Sequence, residues 1–328
     1  MEYRTNGRII KGVGGLYTVR LCRESGGPLD GCAVECRARG VFRHNHITPV
    51  VGDEVEIVYT DASYTVSDGA VLPKDGGRDI MITEIRERRN ALIRPPVSNI
   101  DMMFVSMAAA SPEPQVATID KMLSILMHSG IDAAVVIEKC ELDREKAEEL
   151  RKIYTLAGYR VFVLSCVTGE GVDQIKKFVR EELVGRTAAF AGASGVGKST
   201  LMNMIFPGLE LSTSGISRKI ERGRHTTRHV ELFPIDGDFD AGCIADTPGF
   251  SMLDFERFDF FTKDDLPYTM KEFDDYIGLC KYTKCTHTKE DGCAVLAAVR
   301  EGRIAPSRHE SFLEMYAVLK EKKAWDKN

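Results

Sequence analysis

Gly192-Ala193-Ser194-Gly195-Val196-Gly197-Lys198-Ser199, followed by Thr200, is the stretch that decides the fold. Its Gly-x4-Gly-Lys-Ser spacing is that of a phosphate-binding loop. Glycines let backbone N–H groups curl around phosphate oxygens, Lys198 reaches the β- and γ-phosphates, and the Ser199 hydroxyl ligates magnesium. The context agrees: the apolar run Thr187 to Ala191 reads as a strand entering the loop, and an amphipathic helix starts near Lys198. A chance match in a chain of 328 residues has a probability on the order of one per cent. The order of the surrounding motifs is unusual. A base-reading tetrad, Glu138-Lys139-Cys140-Glu141, and a second base loop beginning at Ser165 lie upstream, whereas the acidic switch tetrad Asp246-Thr247-Pro248-Gly249 lies downstream. The nucleotide core therefore reads as circularly permuted. The chain passes from the switch directly into a C-terminal module, on which nucleotide state can pull.

With 43% hydrophobic and 28% charged residues, the chain can bury one large core or two or three smaller ones, with the latter favoured. A net charge of -5 argues against a generic nucleic-acid coat and confines RNA contacts to local patches. Ser217 to His229 is one such patch, where Arg218, Lys219, Arg222, Arg224 and Arg228 are opposed by Glu221 alone. The start lacks an apolar targeting segment, and the weakly polar run Met102 to Ala110 is too short to span a bilayer. A cytoplasmic protein with no membrane partner is expected. Nine cysteines do not make an even disulfide framework, and three fall in one metal-like cluster, which suits a reducing compartment.

Three regions follow. Residues 1–89 carry short β-like runs, including Gly14 to Val19, Ala33 to Cys36 and the alternating Asp53 to Val58, as a small barrel does. The basic stretch Arg86 to Pro96 reads as the linker out of it. In residues 90–254, strands expected at Met102 to Met107, Ala134 to Ile137, Val161 to Leu164, Thr187 to Ala191 and Cys243 to Ala245 alternate with helices such as Asp143 to Ala157, stopped by Gly158. This is a doubly wound α/β domain. Residues 255–328 turn acidic, then cysteine-bearing, then helical from Ser307 to about Trp325.

In the switch tetrad, Asp246 is placed to hold magnesium through water and the Gly249 N–H to meet the γ-phosphate. The next residue, Phe250, stands where Ras-like GTPases carry the glutamine that orients the attacking water. Water orientation then falls to His225-Thr226-Thr227: a threonine can cover magnesium and His225 can orient the water, with a solvated loop histidine as the equally weighted alternative. In the usual base motif, NKxD, the aspartate accepts from guanine N1–H and N2–H. Here Lys139 is retained, Glu141 keeps an acceptor carboxylate on a longer arm, and Glu138 lacks the amide donor. Finally, Cys280-x4-Cys285-x-His287-x5-Cys293 offers four soft ligands without apolar periodicity, which suits one structural tetrahedral zinc ion with no open position. The other cysteines, Cys22, Cys32, Cys36, Cys140, Cys166 and Cys243, read as small apolar fillers.

With the permuted order, the HTT switch, the DTPGF stretch and the Cys3His cluster assembled, the chain resembles the RsgA (YjeQ) family of ribosome-small-subunit-dependent GTPases. The resemblance runs over nearly the whole chain and includes Arg39-Gly40-Val41-Phe42-Arg43, Pro49-Val50-Val51-Gly52-Asp53 and Arg89-Asn90-Ala91-Leu92-Ile93-Arg94. It implies an N-terminal OB-fold barrel, a permuted GTPase domain and a helical zinc module, a monomer that docks on the small ribosomal subunit and its rRNA during late maturation while hydrolysing GTP with Mg2+ to GDP. The sequence departs from the family pattern at Glu138 and Glu141, where asparagine and aspartate are expected. The alternative is a ribosome-docking protein whose nucleotide site is degenerate or accepts ATP as well as GTP.

Overall fold

The computed structural model describes residues 1–23, 26–40, 42, 47–67, 70–74, 79–93, 96–206, 230–246 and 261–321. Among these, Met1–Ile100, Gly185–Ala189 and 230–246 form one compact unit, and Asp101–Val184, 190–206 and 261–321 form another.

The first unit contains a closed five-stranded barrel. Its strands are β1 (Glu2–Val13), β2 (Leu16–Leu21), β3 (Ala33–Ala38), β4 (Glu54–Thr60) and, after a small hairpin of β5 (Tyr64–Ser67) and β6 (Ala70–Pro73), β7 (Met81–Ile85). Neighbours run β1-β2-β3-β7-β4 and back to β1, with β3 and β7 parallel and the other pairs antiparallel. That closure is the OB arrangement expected from the sequence. Period-two alternation builds it: in β4, Val55, Ile57 and Tyr59 turn into the core and Glu54 and Glu56 turn outward. Closing the sheet leaves no free edge.

The described residues of the stretch read as a linker belong instead to this unit. Ala91–Ile93 (β8) pairs with Pro96–Ser98 (β9). Arg88 makes a two-point ion pair with the fully buried Asp53 at 2.7 and 2.8 Å, and the Ser98 hydroxyl donates to the same carboxylate at 2.6 Å. A buried carboxylate with this many donors holds the segment down, and a sequence reading of prolines and arginines does not reveal it. The unit also contains β14 (Glu231–Ile235), not anticipated because Pro234 argues against a strand, and β15 (Asp238–Asp246), to which it pairs antiparallel.

In the second unit, β10 (Met102–Ala108), β11 (Asp132–Glu138) and β12 (Arg160–Val163) form a parallel sheet in the order β12-β11-β10. Every residue of β10 is buried, as expected for a strand covered on both faces. The connecting helices are α1 (Val116–His128), α2 (Arg144–Leu156), α3 (Val172–Glu182) and α4 (Lys198–Ile205). The α2 boundaries match the expected ones: the Asp143 side chain caps the start by accepting from the Lys146 N–H at 2.8 Å, and Gly158 follows the end at φ +80°. Strand β13 (Thr187–Gly192) gives its first half to the first unit, parallel to β15, and its second half to this one, where Phe190 stacks on Phe104 at 4.7 Å.

The C-terminal residues of this unit share one apolar core with Ile125 of α1: Phe261, Leu266, Met270, Phe273 and Val295 join Phe312, Met315 and Leu319 of the last helix. Helices α5 (Ala294–Arg300) and α6 (Pro306–Glu321) follow the cysteine cluster. Among the described residues, no helix is long and apolar enough to cross a membrane. Of the six cysteines read as apolar fillers, Cys36, Cys140 and Cys243 are buried, whereas Cys32 and Cys166 are half-buried and Cys22 is exposed.

Candidate nucleotide and metal sites

The phosphate loop joins β13 to α4, and both its ends are fixed by what lies beneath them. Gly192 sits at φ +143°, where an added Cβ would lie 2.2 Å from the Ser106 carbonyl oxygen of β10. Gly197 sits at φ +133°, where a Cβ would lie 1.9 Å from Glu138 Oε2 at the end of β11. No side chain fits at either position, so the glycines answer to close approach as well as to backbone conformation. Ala193, Ser194 and Gly195 are exposed, Val196 is buried as an anchor, and Gly197, Lys198 and Ser199 are half-buried. Lys198 Nζ donates to the carbonyls of Gly192 and Ala193, each at 2.7 Å. Burial pushes its pKa down against the pull of Glu138.

The base-reading tetrad comes to the same loop. Lys139, at φ +58°, donates from Nζ to the Gly195 carbonyl at 2.6 Å and to the Ser111 carbonyl. Glu138 is 1% exposed, and burial raises its carboxyl to about 8 against the nearby Lys198 and Lys139 charges. The Cys140 N–H donates to the Leu164 carbonyl at 3.2 Å, which ties the tetrad to the second base loop. In that loop, Ser165 is fully buried and its Oγ accepts from the Thr168 N–H at 3.1 Å. Glu170 beyond it makes a two-point pair with Arg144 at 2.6 and 3.0 Å. Glu141 Oε2 is buried with no hydrogen-bond partner, an acceptor facing nothing in the protein.

Ser106 and Ser111 were not singled out from sequence. Ser106 carried a signal, since it is the one hydroxyl within the apolar run Met102–Ala108. Asp246 ends β15 in the first unit, half-buried and in register with Glu231; burial, then the Glu231 charge, raises its pKa. Glu231 itself pairs with Lys11 at 2.8 Å. His225, Thr226, Thr227, Gly249, the basic patch from Ser217 to His229 and the end of the last helix beyond 321 lie outside the described residues.

The second constellation closes on itself. The ligand atoms of Cys280, Cys285, His287 and Cys293 all lie within 4.8 Å of one another. Cys280 Sγ is 3.9 Å from Cys293 Sγ, and His287 Nδ1 is 3.6 and 3.5 Å from those two sulfurs. A tetrahedron with Zn–S of about 2.3 Å has S···S edges of about 3.8 Å, so the donors fit zinc. The surroundings hold the donors in place. The Ala294 N–H points at Cys280 Sγ at 3.3 Å and the Leu296 N–H at Cys293 Sγ at 3.5 Å, dipoles that favour thiolates. His309 Nε2 donates to the His287 carbonyl at 2.8 Å, and Glu290 gathers the N–H groups of Thr286, Thr288 and Lys289 at 2.8 to 3.1 Å.

Comparison with known proteins gives one result along the chain. The RsgA GTPase family profile matches residues 85–256 and the RsgA N-terminal domain profile residues 6–66. Proteins named small ribosomal subunit biogenesis GTPase RsgA are similar over nearly their full length: that of Agathobacter rectalis is 38% identical over 97% of this chain and 99% of its own, and that of Geobacillus thermodenitrificans 38% over 97% and 98%. Among solved structures, YjeQ from Thermotoga maritima superposes with a TM-score of 0.73 at 29% identity, covering 98% of this chain and 100% of the other. YloQ, described as a circularly permuted GTPase, gives 0.71 at 31% identity over 98% and 96%.

Proposed function

Because this chain belongs to the RsgA family of small ribosomal subunit biogenesis GTPases, we propose that it hydrolyses GTP at Gly192–Ser199 and couples the reaction to release from, or checking of, a maturing small subunit. The observation that carries the reading is the meeting of the base-reading tetrad with the phosphate loop: Lys139 is hydrogen-bonded to Gly195, and Glu138 lies against Gly197. This contact supports reading the two separated sequence motifs as one nucleotide cradle.

In this reading Lys198 leaves the Gly192 and Ala193 carbonyls for the β- and γ-phosphates, where its charge offsets what develops on the β–γ bridge. Ser199 and Asp246 are the residues that would hold Mg2+, which would supply further charge neutralisation with the nucleotide. Glu141 accepts from the guanine N1–H and N2–H with its orphaned carboxylate, and Ser165 shapes the second side of the base pocket. Thr226 or Thr227 covers Mg2+, Gly249 meets the γ-phosphate, and His225 orients the attacking water that Phe250 cannot hold. The Cys280–Cys285–His287–Cys293 site holds one structural zinc ion. The barrel and the zinc module grip rRNA, and the protein acts as a monomer.

His225→Ala in a single-turnover assay with saturating small subunits tests this chemistry. It should remove most of the subunit-stimulated rate while leaving subunit binding in place. Full stimulation of the variant would show that another group positions the water. The stimulated rate should also fall steeply between low and moderate salt, because the basic run around Arg222, Arg224 and Arg228 is assigned to RNA phosphate.

A further inference from the structure

Glu138 is an acidic side chain buried beneath a loop that receives a triphosphate, and the charges near it do not make up for its burial. The two cations within reach are engaged elsewhere: Lys198 Nζ on the Gly192 and Ala193 carbonyls, Lys139 Nζ on the Ser111 and Gly195 carbonyls. Among the described residues Glu138 makes no ion pair. Its Oε2 faces the Cα of Gly197, its Oε1 and the neighbouring Ser106 hydroxyl are both buried, and the pull of that hydroxyl toward the ionised form is outweighed by burial. A carboxylate so placed would be an uncompensated buried charge. It would also repel the nucleotide phosphates on the other side of Gly197. A carboxylic acid has neither fault. It offers one O–H donor and one carbonyl acceptor, close to the inventory of the amide that the NKxD pattern puts at this position.

We propose that Glu138 works as an un-ionised carboxylic acid under the phosphate loop, a proton-carrying substitute for the asparagine amide, so that keeping this proton is a condition for holding the nucleotide phosphates. The inference rests on the assignment of Gly192–Ser199 as the nucleotide site. Burial favours the neutral form and outweighs the groups that pull toward the ionised one. Strand β10 presents the Ser106 hydroxyl, the phosphate loop presents Gly197 and the Lys198 ammonium, and the tetrad contributes Lys139 and Glu141. The second base loop contributes Cys166, whose thiol is pushed to about 12, chiefly by burial, and so stays protonated. Burial places the carboxyl's own ionisation at about 8 in the unliganded protein. The acid therefore holds its proton below that pH and loses it as pH rises. Phosphates above the loop raise the ionisation further, so nucleotide binding at alkaline pH takes up a proton.

The test is GDP affinity of the full-length protein and of Glu138→Gln, measured side by side from about pH 7 to pH 9 in the presence of Mg2+. Glutamine has the same length, and its amide does not titrate. Titration of the guanine ring is common to both proteins and cancels in the ratio of the two Kd values. That ratio, unaltered chain over Glu138→Gln, should rise with pH by up to roughly tenfold per pH unit once the carboxyl ionises. A ratio that stays flat over the range would overturn the proposal. Calorimetry on the unaltered chain alone, in buffers of different ionisation enthalpy near pH 8.5, supplies a readout independent of whether the variant folds: net proton uptake on GDP binding is expected, and none would overturn the proposal. If the unaltered chain binds no GDP even at pH 7, it is the nucleotide-site assignment that fails.

Discussion

In the Cys280–Cys293 knuckle, four donor atoms from one short stretch converge within 4.8 Å, whereas in the phosphate loop the groups meant for the ligand are occupied by the chain itself. Apart from His309, the knuckle's partners are local. Its amide donors, Ala294 and Leu296, and its acidic organiser, Glu290, lie within a few residues of the ligands. The loop's partners come from far along the chain, Ser106 from β10 and Glu138 from β11. A site closed by neighbours in sequence depends on its ion for folding, because bringing thiolates together without a cation is unfavourable. A site clamped by distant strands is folded beforehand, and its ligand displaces internal hydrogen bonds instead.

The largest effect expected from this contrast is on the knuckle. Cys285→Ala should release zinc and, since structural zinc contributes on the order of 10 kcal/mol to such small modules, unfold the region around residues 280–293. Elemental analysis with limited proteolysis checks it, and a variant that keeps stoichiometric metal and protease resistance would break the contrast. The next effect concerns what joins the knuckle region to the base-binding half. Arg308 is fully buried, paired with Asp120 at 2.6 Å and with Glu272 at 2.6 and 3.0 Å, between the rings of Tyr154 and Tyr159. Arg308→Ala strands both carboxylates and should cost about 3–5 kcal/mol in urea unfolding.

Lys198→Ala should lower GTP turnover by about 10²–10³-fold with little change in stability, because the lysine's hydrogen bonds to Gly192 and Ala193 are those the ligand displaces. A variant with normal turnover would remove the loop from the mechanism. The smallest effect is a control. Asp143→Ala deletes the α2 cap and should cost about 1 kcal/mol in a thermal melt. A shift several times larger would mean that the cap also supports the neighbouring base loop.

The same contrast explains what the sequence disclosed. Phosphate loop, base tetrad and Cys3His cluster were all legible because each is a local spacing with its own chemistry. A small N-terminal barrel was legible in the β-like runs, but β14 was not, since Pro234 masks a strand that pairing with β15 enforces. Glu138 read as a defect of the base motif when seen beside Lys139 and Glu141. Its setting against Gly197 and Ser106, which gives an acid a reason to be there, exists only once β10, β11 and the loop have come together. Arg308 was equally hidden: a charged residue in a helix reads as exposed until Asp120 and Glu272 are found around it.

The rate of phosphate release from GTP, with and without saturating purified small ribosomal subunits, tests the account most directly. Slow turnover by the free protein, accelerated strongly by the subunit and lowered about 10²–10³-fold by Lys198→Ala in both conditions, is the predicted result. Turnover that is equally fast without the subunit, or that survives the loss of Lys198, would contradict it.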